Sequence, residues 1–485
     1  MSFTHALKWS FASELAAKAI QPVVFIVLAR MLTPEDFGVM TAAMMVIAFS
    51  QIFWEAGMGK ALIQRQTDVE EAANAAFFIN IALGIVIAGL LYLFAQPIAQ
   101  TFFQDDRVTA VLQVMTLQVL LGALSSVQTA LLQKEMDFKK LFWVRFATVS
   151  LPGLASIPLA WNGFGYWALV AGTLFGQTMQ VIMLWRISSW HPKLHTRISV
   201  AKQVSHFGFF VMASGLLGWY YNWMDIFFVG RYLGIEIAGE YRIGSQLAVI
   251  IFSIIYSPII PVIYSKLSSS GCKKYKYLTD YPLPIISTWV AAPIGILIFG
   301  LSESIAKNIL GPGWSHTSLI ISMMIIVQSV GHLSALNGEV YRAEGRPSLE
   351  SLIWLLGVLF YTPVYYYTAN TSLDAFLYGR VVLVIIFYFF HLAIISRILK
   401  YNPEKILFNQ LLIITSLALM GFASIYFNDA IVPSGWLNMV TTTLTFLSLM
   451  FVFFMVVENN RLVNLCKEIL QKYRNVSKGN HNANS

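Results

Sequence analysis

Glu14 and Lys18 lie four residues apart in an apolar stretch, so on a helix they share one face, one turn apart. They could bridge each other. Facing a cleft, the Lys18 ammonium would instead attract a phosphate as a compact point charge, while Glu14 could exchange a proton. The sequence leaves both roles open. A third ionisable residue in an apolar run, Asp225, ends the cluster Trp219-Tyr220-Tyr221-Asn222-Trp223-Met224-Asp225. Trp219, Tyr220 and Trp223 suit a membrane interface, and their ring faces could also stack on the apolar face of a sugar. Ionisable groups buried in apolar spans are costly, which makes each a functional candidate. Glu55 and Arg380 lie nearer to helix ends, Arg380 within snorkelling reach of the interface, and His206, His332 and His391 are isolated.

Other chemistries are missing from the sequence. Gly57-Met58-Gly59-Lys60 lacks the spacing of a phosphate-binding loop, and no H-E-x-x-H or G-x-S-x-G stretch occurs. Cys272 and Cys466 are the only cysteines, too few for a disulfide framework or a zinc site. No catalytic residue and no metal set is assigned. The acids Asp105, Asp106, Glu236, Glu240, Glu303, Asp374 and Asp429 fall in short turns and read as interface-solvating charges.

The elements that must position these residues are membrane helices. Of 485 residues, 57% are hydrophobic and 12% charged, against about 25% charged in soluble domains. The mean hydropathy is +0.66. Apolar runs predict an all-α polytopic membrane protein of about fourteen spans. These run 11–32, 37–59, 74–96, 108–133, 142–160, 164–186, 206–231, 237–265, 281–301, 316–338, 349–369, 374–397, 405–427 and 435–457. The first is read as a retained helix with no cleavage site. Pro22, Pro152, Pro158, Pro258, Pro261, Pro293 and Pro363 interrupt spans, as in the broken helices of transporters.

With the N-terminus in the cytoplasm, twenty-five of the 32 Lys and Arg fall on the cytoplasmic side and six outside, with Lys18 inside the first span. That asymmetry follows the positive-inside rule and puts both termini in the cytoplasm. It also accounts for the net charge of +8 without nucleic acid.

A nine-residue pattern, R-x-L-x-x-E-x-x-G, occurs twice at an offset of 201: Arg30, Glu35 and Gly38, then Arg231, Glu236 and Gly239. Each copy ends the first helix of a six-helix half and begins the second. The spacing predicts two pseudo-symmetric six-helix lobes plus two extra C-terminal helices, related by an axis along the membrane normal. The expected organisation is an N-terminal lobe at 1–186, a cytoplasmic linker at 187–205, a C-terminal lobe at 206–400, helices 13 and 14 at 401–457 and a cytoplasmic tail at 458–485. Locally, Thr33 is placed to cap the second helix, with Pro34 at its first position and Asp36 three residues after the cap. Gly38 and Gly239 would let helices approach closely.

The stretch ARMLTPEDFGVMTAAMMVIAFSQIFWEAGMGKALIQRQ (29–66) resembles the opening of the bacterial polysaccharide-repeat flippases, the O-antigen and colanic-acid type exporters of the multidrug/oligosaccharidyl-lipid/polysaccharide superfamily. ALLQKEMDFKKL (130–141) and GFGYWALVAGTLFGQ (163–177) are similar to the same family. The resemblance is best over the first ~200 residues; the second half matches mainly in layout. It implies two lobes facing each other in a V and a transporter, not an enzyme. The expected substrate is an undecaprenyl-pyrophosphate-linked oligosaccharide, carried from the inner to the outer leaflet of the bacterial inner membrane for surface polysaccharide such as lipopolysaccharide O-antigen, capsule or exopolysaccharide. No cofactor is expected beyond a coupling ion, proton or sodium; expected partners are the lipid substrate, membrane lipids, and the polymerase and chain-length machinery. The alternatives are a cation-coupled multidrug or small-molecule exporter of the same fold, a cell-wall lipid precursor flippase, and a membrane glycosyltransferase.

Overall fold

The apolar runs fold as helices because a chain in lipid must satisfy its backbone hydrogen bonds within each segment. A computed structural model describes residues 20–55, 57–193, 197–270, 283–311, 313–432 and 435–457. Among these there is no strand. In chain order the helices are α1 (Ile20–Ala29), α2 (Pro34–Glu55), α3 (Met58–Gln64), α4 (Val69–Ile98), α5 (Arg107–Lys134), α6 (Phe138–Trp161), α7 (Tyr166–Ile187) and α8 (Ile198–Tyr232). They continue with α9 (Ile235–Ser270), α10 (Leu283–Ile305), α11 (Thr317–Leu333), α12 (Asn337–Ala343), α13 (Pro347–Ala369), α14 (Leu373–Leu399), α15 (Pro403–Ile431) and α16 (Trp436–Val457).

Twelve described segments are long and apolar enough to span a bilayer. With the described part of the first span, α1, and with α8, they match the fourteen expected spans one for one. Large apolar side chains such as Leu93, Leu419, Phe422 and Val456 are exposed along them. A surface that apolar belongs in lipid, and the chain is a multi-pass membrane protein.

Several boundaries differ from expectation. The second span stops at Glu55, and Gly57, at φ 65, redirects the chain into α3. The seventh span begins at Ile198, inside the stretch expected to be linker, and its 35 residues reach about 52 Å, more than a bilayer core needs. Its start and the residues just before it are held on the α3–α4 connection and the first turn of α4: Arg65 donates to Gln203, Arg197 pairs with Asp68 and Glu71, and Lys193 pairs with Glu70. The third span of each half ends in one π-helical turn, Ala99–Phe103 after α4 and Ala306–Leu310 after α10. Such turns are rare, so their matched placement supports the duplication.

Packing divides the chain into two compact units. One comprises Met1–Ile254, Ile309–Ile320 and Trp354–Arg380; the other comprises Ile255–Asn308, Ile321–Ile353 and Val381–Ser485. This division cuts through α9, α11, α13 and α14. The expected lobes 1–186 and 206–400 do not coincide with these units, because repetition in the sequence defines the lobes and packing defines the units. In the first unit α7 packs closely on α6: a Cβ on Gly176 would meet the Pro152 ring at 2.6 Å, and one on Gly172 would meet Ser156 Oγ at 1.8 Å. The second unit holds a buried polar contact among apolar helices. Gln410 donates to Thr288 Oγ1 at 2.8 Å and accepts from the Tyr388 hydroxyl.

Candidate functional site

The two motif copies meet. A Cβ on Gly38 would lie 1.9 Å from the Ile235 carbonyl oxygen, and a Cβ on Gly239 would lie 1.9 Å from the Pro34 carbonyl oxygen. Ile235 is Pro34 plus 201, and Gly239 is Gly38 plus 201. Each copy therefore makes to the other the contact it receives, as a two-fold interface requires. The first turns of α2 and α9 cross backbone to backbone, a spacing only glycine permits.

Around this crossing the first copy is held by side chains. Thr33 N donates to Asp36 Oδ2 at 3.0 Å, and Asp36 N donates to Thr33 Oγ1 at 3.3 Å, the expected reciprocal cap. The other Asp36 oxygen accepts the Tyr166 amide at 2.8 Å, so one carboxylate caps both α2 and α7. Glu35 pairs with Arg107 at 2.7 Å, and Arg107 pairs with Asp105 at 2.7 Å. Burial pushes the Asp105 carboxyl up, but hydrogen bonds from the Arg107 side chain and amide, with its charge, outweigh this and hold it below the usual carboxylate value. Arg30 Nε donates to the Ile309 carbonyl at 2.8 Å.

The second copy is built differently. Gly234, at φ +98, makes the turn into α9. Arg231 lies over the Tyr232 ring at 5.9 Å, and its Nη1 has no hydrogen-bond partner. Glu236 is exposed. Glu240, expected to be an interface-solvating charge, is instead fully buried. It accepts the His316 amide at 2.7 Å, the Thr317 hydroxyl at 2.7 Å and the Ser315 hydroxyl at 3.3 Å, and so caps the N-terminus of α11. The Ser315-His316-Thr317 run before an apolar stretch was the available signal for a helix start, but it does not name its acceptor.

Deeper in the same unit, Asp225 on α8 is not alone. Its Oδ2 accepts the Tyr241 hydroxyl of α9 at 2.8 Å and forms an ion pair with Arg380 Nη1 of α14. Its Oδ1 accepts the Ile226 amide at 2.8 Å. The Arg380 guanidinium lies against the Tyr241 and Tyr365 rings, at 5.8 and 5.6 Å from their centroids. Arg380 thus points to Asp225, where the sequence suggested the interface. Both side chains are about seven-eighths buried. Such a pair is tolerated in a bilayer because each charge removes the other's need for water.

The aromatic cluster divides between two directions. Trp219 donates its indole N–H to the Met45 carbonyl at 3.1 Å and meets Phe49 edge-on, so it packs on α2. The Trp223 ring carries the Arg242 guanidinium at 4.8 Å. Tyr220 and Tyr221 turn to α13: the Tyr220 hydroxyl is 2.5 Å from Thr362 Oγ1, and a Cβ on Gly357 would overlap the Tyr221 hydroxyl. Sequence reading missed Arg242 and Tyr241 because each becomes notable only through its neighbours. Glu14 and Lys18 lie outside the described residues.

Comparison with known proteins agrees with this architecture. A family model described as "Polysaccharide biosynthesis protein" matches residues 27–319. The succinoglycan biosynthesis transport protein ExoT of Rhizobium meliloti is 24% identical over 328 residues, 67% of this chain and 66%, just under two thirds, of that protein. The teichuronic acid biosynthesis protein TuaB of Bacillus subtilis is 24% identical over 359 residues, 73% of each chain. Among solved structures, the lipid II flippase MurJ in an inward closed conformation superposes with a TM-score of 0.75 at 14% identity, covering 93% of this chain and 99% of that one. An inward-facing multidrug MATE transporter gives a TM-score of 0.60 at 11% identity, covering 79% and 96%. These two likenesses concern the fold. The family match spans more than half of the sequence, and the chain belongs to this family of polysaccharide biosynthesis proteins.

Proposed function

We propose that the protein is a transporter that flips an undecaprenyl-pyrophosphate-linked oligosaccharide repeat unit from the inner to the outer leaflet of the bacterial inner membrane. The repeat unit would be supplied to surface polysaccharide assembly. The observation that carries this reading is the joint one: a chain of the polysaccharide biosynthesis family has the fold of a lipid flippase over 93% of its length. The physical task is to move a charged, sugar-bearing head group through about 30 Å of hydrocarbon while the prenyl tail stays in lipid. A polar path between lobes 1–186 and 206–400, opened to each side in turn, meets that task. In this reading both termini are cytoplasmic, and the motif turns at 30–38 and 231–239 face outward. Lys18 and Glu14 on the first span are candidates for the diphosphate and for proton exchange, and Trp219, Tyr220 and Trp223 for the wall of the path.

The likeness to a MATE transporter favours one competitor, a cation-coupled drug exporter. Deleting the gene separates the readings. Loss of flipping leaves finished lipid-linked repeat units on the inner leaflet and removes surface glycan, both reversed by a plasmid copy. Repeat units that never form would point to a transferase. Intact glycan with raised drug sensitivity would replace the flippase reading with the exporter.

A further inference from the structure

Three helices bring three charged side chains to one level of the first unit. Asp225 is seven residues before the end of α8 at Tyr232, Arg242 is seven after the start of α9 at Ile235, and Arg380 is seven after the start of α14 at Leu373. At 1.5 Å per residue each lies about 10 Å from the helix end. Two guanidiniums against one carboxylate leave one positive charge in excess.

The excess is localised. Arg242 is half-buried, and its guanidinium rests on the Trp223 ring with no hydrogen bond or ion pair among the described residues. Asp225 acts on it electrostatically but does not reach it as an ion pair. Arg380 commits Nη1 to Asp225, and its buried Nε has no partner. A planar guanidinium with unused donors matches two oxygens of one phosphate group. A metal cation drawing on both Asp225 oxygens would have to displace the Tyr241 hydroxyl and the Arg380 guanidinium that Oδ2 already accepts.

We propose that Arg242 and Arg380 form a diphosphate subsite in which Asp225 is the resident anion, displaced from Arg380 when the diphosphate of the lipid-linked substrate enters. This rests on the flippase reading and adds to it a built-in exchange of anions. With the site empty, Asp225 shields Arg380 and keeps its charge tolerable in the membrane. With the site full, the diphosphate takes both guanidiniums, and the Asp225 charge now repels it. The same carboxylate therefore stabilises the empty state and weakens the hold on the bound head group, which helps release. The Arg380 guanidinium already supplies the positive charge that balances Asp225, so diphosphate binding here is expected to need no sodium.

The test measures binding of inorganic pyrophosphate and of farnesyl pyrophosphate to the full chain in lipid nanodiscs. Asp225→Asn should tighten both about tenfold, and Arg242→Gln should weaken both about tenfold. Replacing sodium by choline at equal ionic strength should change neither. Unchanged or weaker binding in Asp225→Asn, or wild-type binding in Arg242→Gln, overturns the proposal, as does a sodium requirement. Arg242→Gln breaks no ion pair, so its binding decides the proposal even if Asp225→Asn fails to fold. If the wild-type gene restores surface glycan while these variants bind like wild type, the subsite is wrong and the flippase reading stands. If deletion leaves glycan intact, that reading itself has failed.

Discussion

The turns at 30–38 and 231–239 carry the same R-x-L-x-x-E-x-x-G letters and make the same helix crossing by different means. In the first, Thr33 and Asp36 form a side-chain cap, and Glu35 joins an ion network through Arg107. In the second, Gly234 turns the chain by its positive φ, Glu236 is exposed, and the structural carboxylate is Glu240, four residues further on. Only the glycines act alike in both. A backbone-to-backbone crossing tolerates no Cβ on either side, whereas a helix start can be satisfied by many donors and acceptors.

The largest effect should come from the shared element. Gly38→Val and Gly239→Val each place a side chain where a carbonyl oxygen lies, and each should cost about 5 kcal/mol or more through forced backbone movement. Thermal unfolding of the purified variants should show similar losses for the two. A clear inequality would mean that the reciprocal crossing is not the strain-bearing contact.

The next effect belongs to the buried pair beneath the second copy, which has no ionic counterpart beneath the first among the described residues. Arg380→Met leaves Asp225 uncompensated and should cost about 3–5 kcal/mol, while Asp225→Leu with Arg380→Met should recover much of it. A double-mutant cycle reads this, and additive losses would deny the pairing.

The two carboxylates in the first turns of α9, Glu236 and Glu240, should then separate cleanly. Glu240→Gln removes a fully buried acceptor from the start of α11 and should cost about 1–3 kcal/mol, whereas Glu236→Gln, on the exposed side, should stay within about 0.5 kcal/mol. Equal effects would restore the reading of Glu240 as an ordinary interface charge.

The smallest effect is the pH dependence of the first copy. The Asp105 carboxyl is held below its ordinary 3.8 by Arg107, so its contribution is complete above that value and fades as pH falls through the lower, folded one. Arg107 is 40% exposed, so solvent screening limits the pair to about 1 kcal/mol or less. The melting difference between wild type and Arg107→Gln should therefore be constant from pH 7 to 5 and shrink below pH 4. A difference that grew on acidification would reverse the assignment.

The sequence alone determined what local physics controls. Span positions were readable because lipid forces each apolar run to close its own hydrogen bonds, and the Thr33–Asp36 cap because its partners are three residues apart. The glycine crossing was legible through repetition: two copies 201 residues apart are a long-range signal written in the chain. Tertiary structure alone decided the partner of each buried charge. Asp225 finds Arg380 across 155 residues, and Glu240 finds Thr317 across 77. No periodicity encodes such a match, because a buried charge is satisfied by whatever donor the packed helices bring within about 3 Å, and that distance exists only after they have packed.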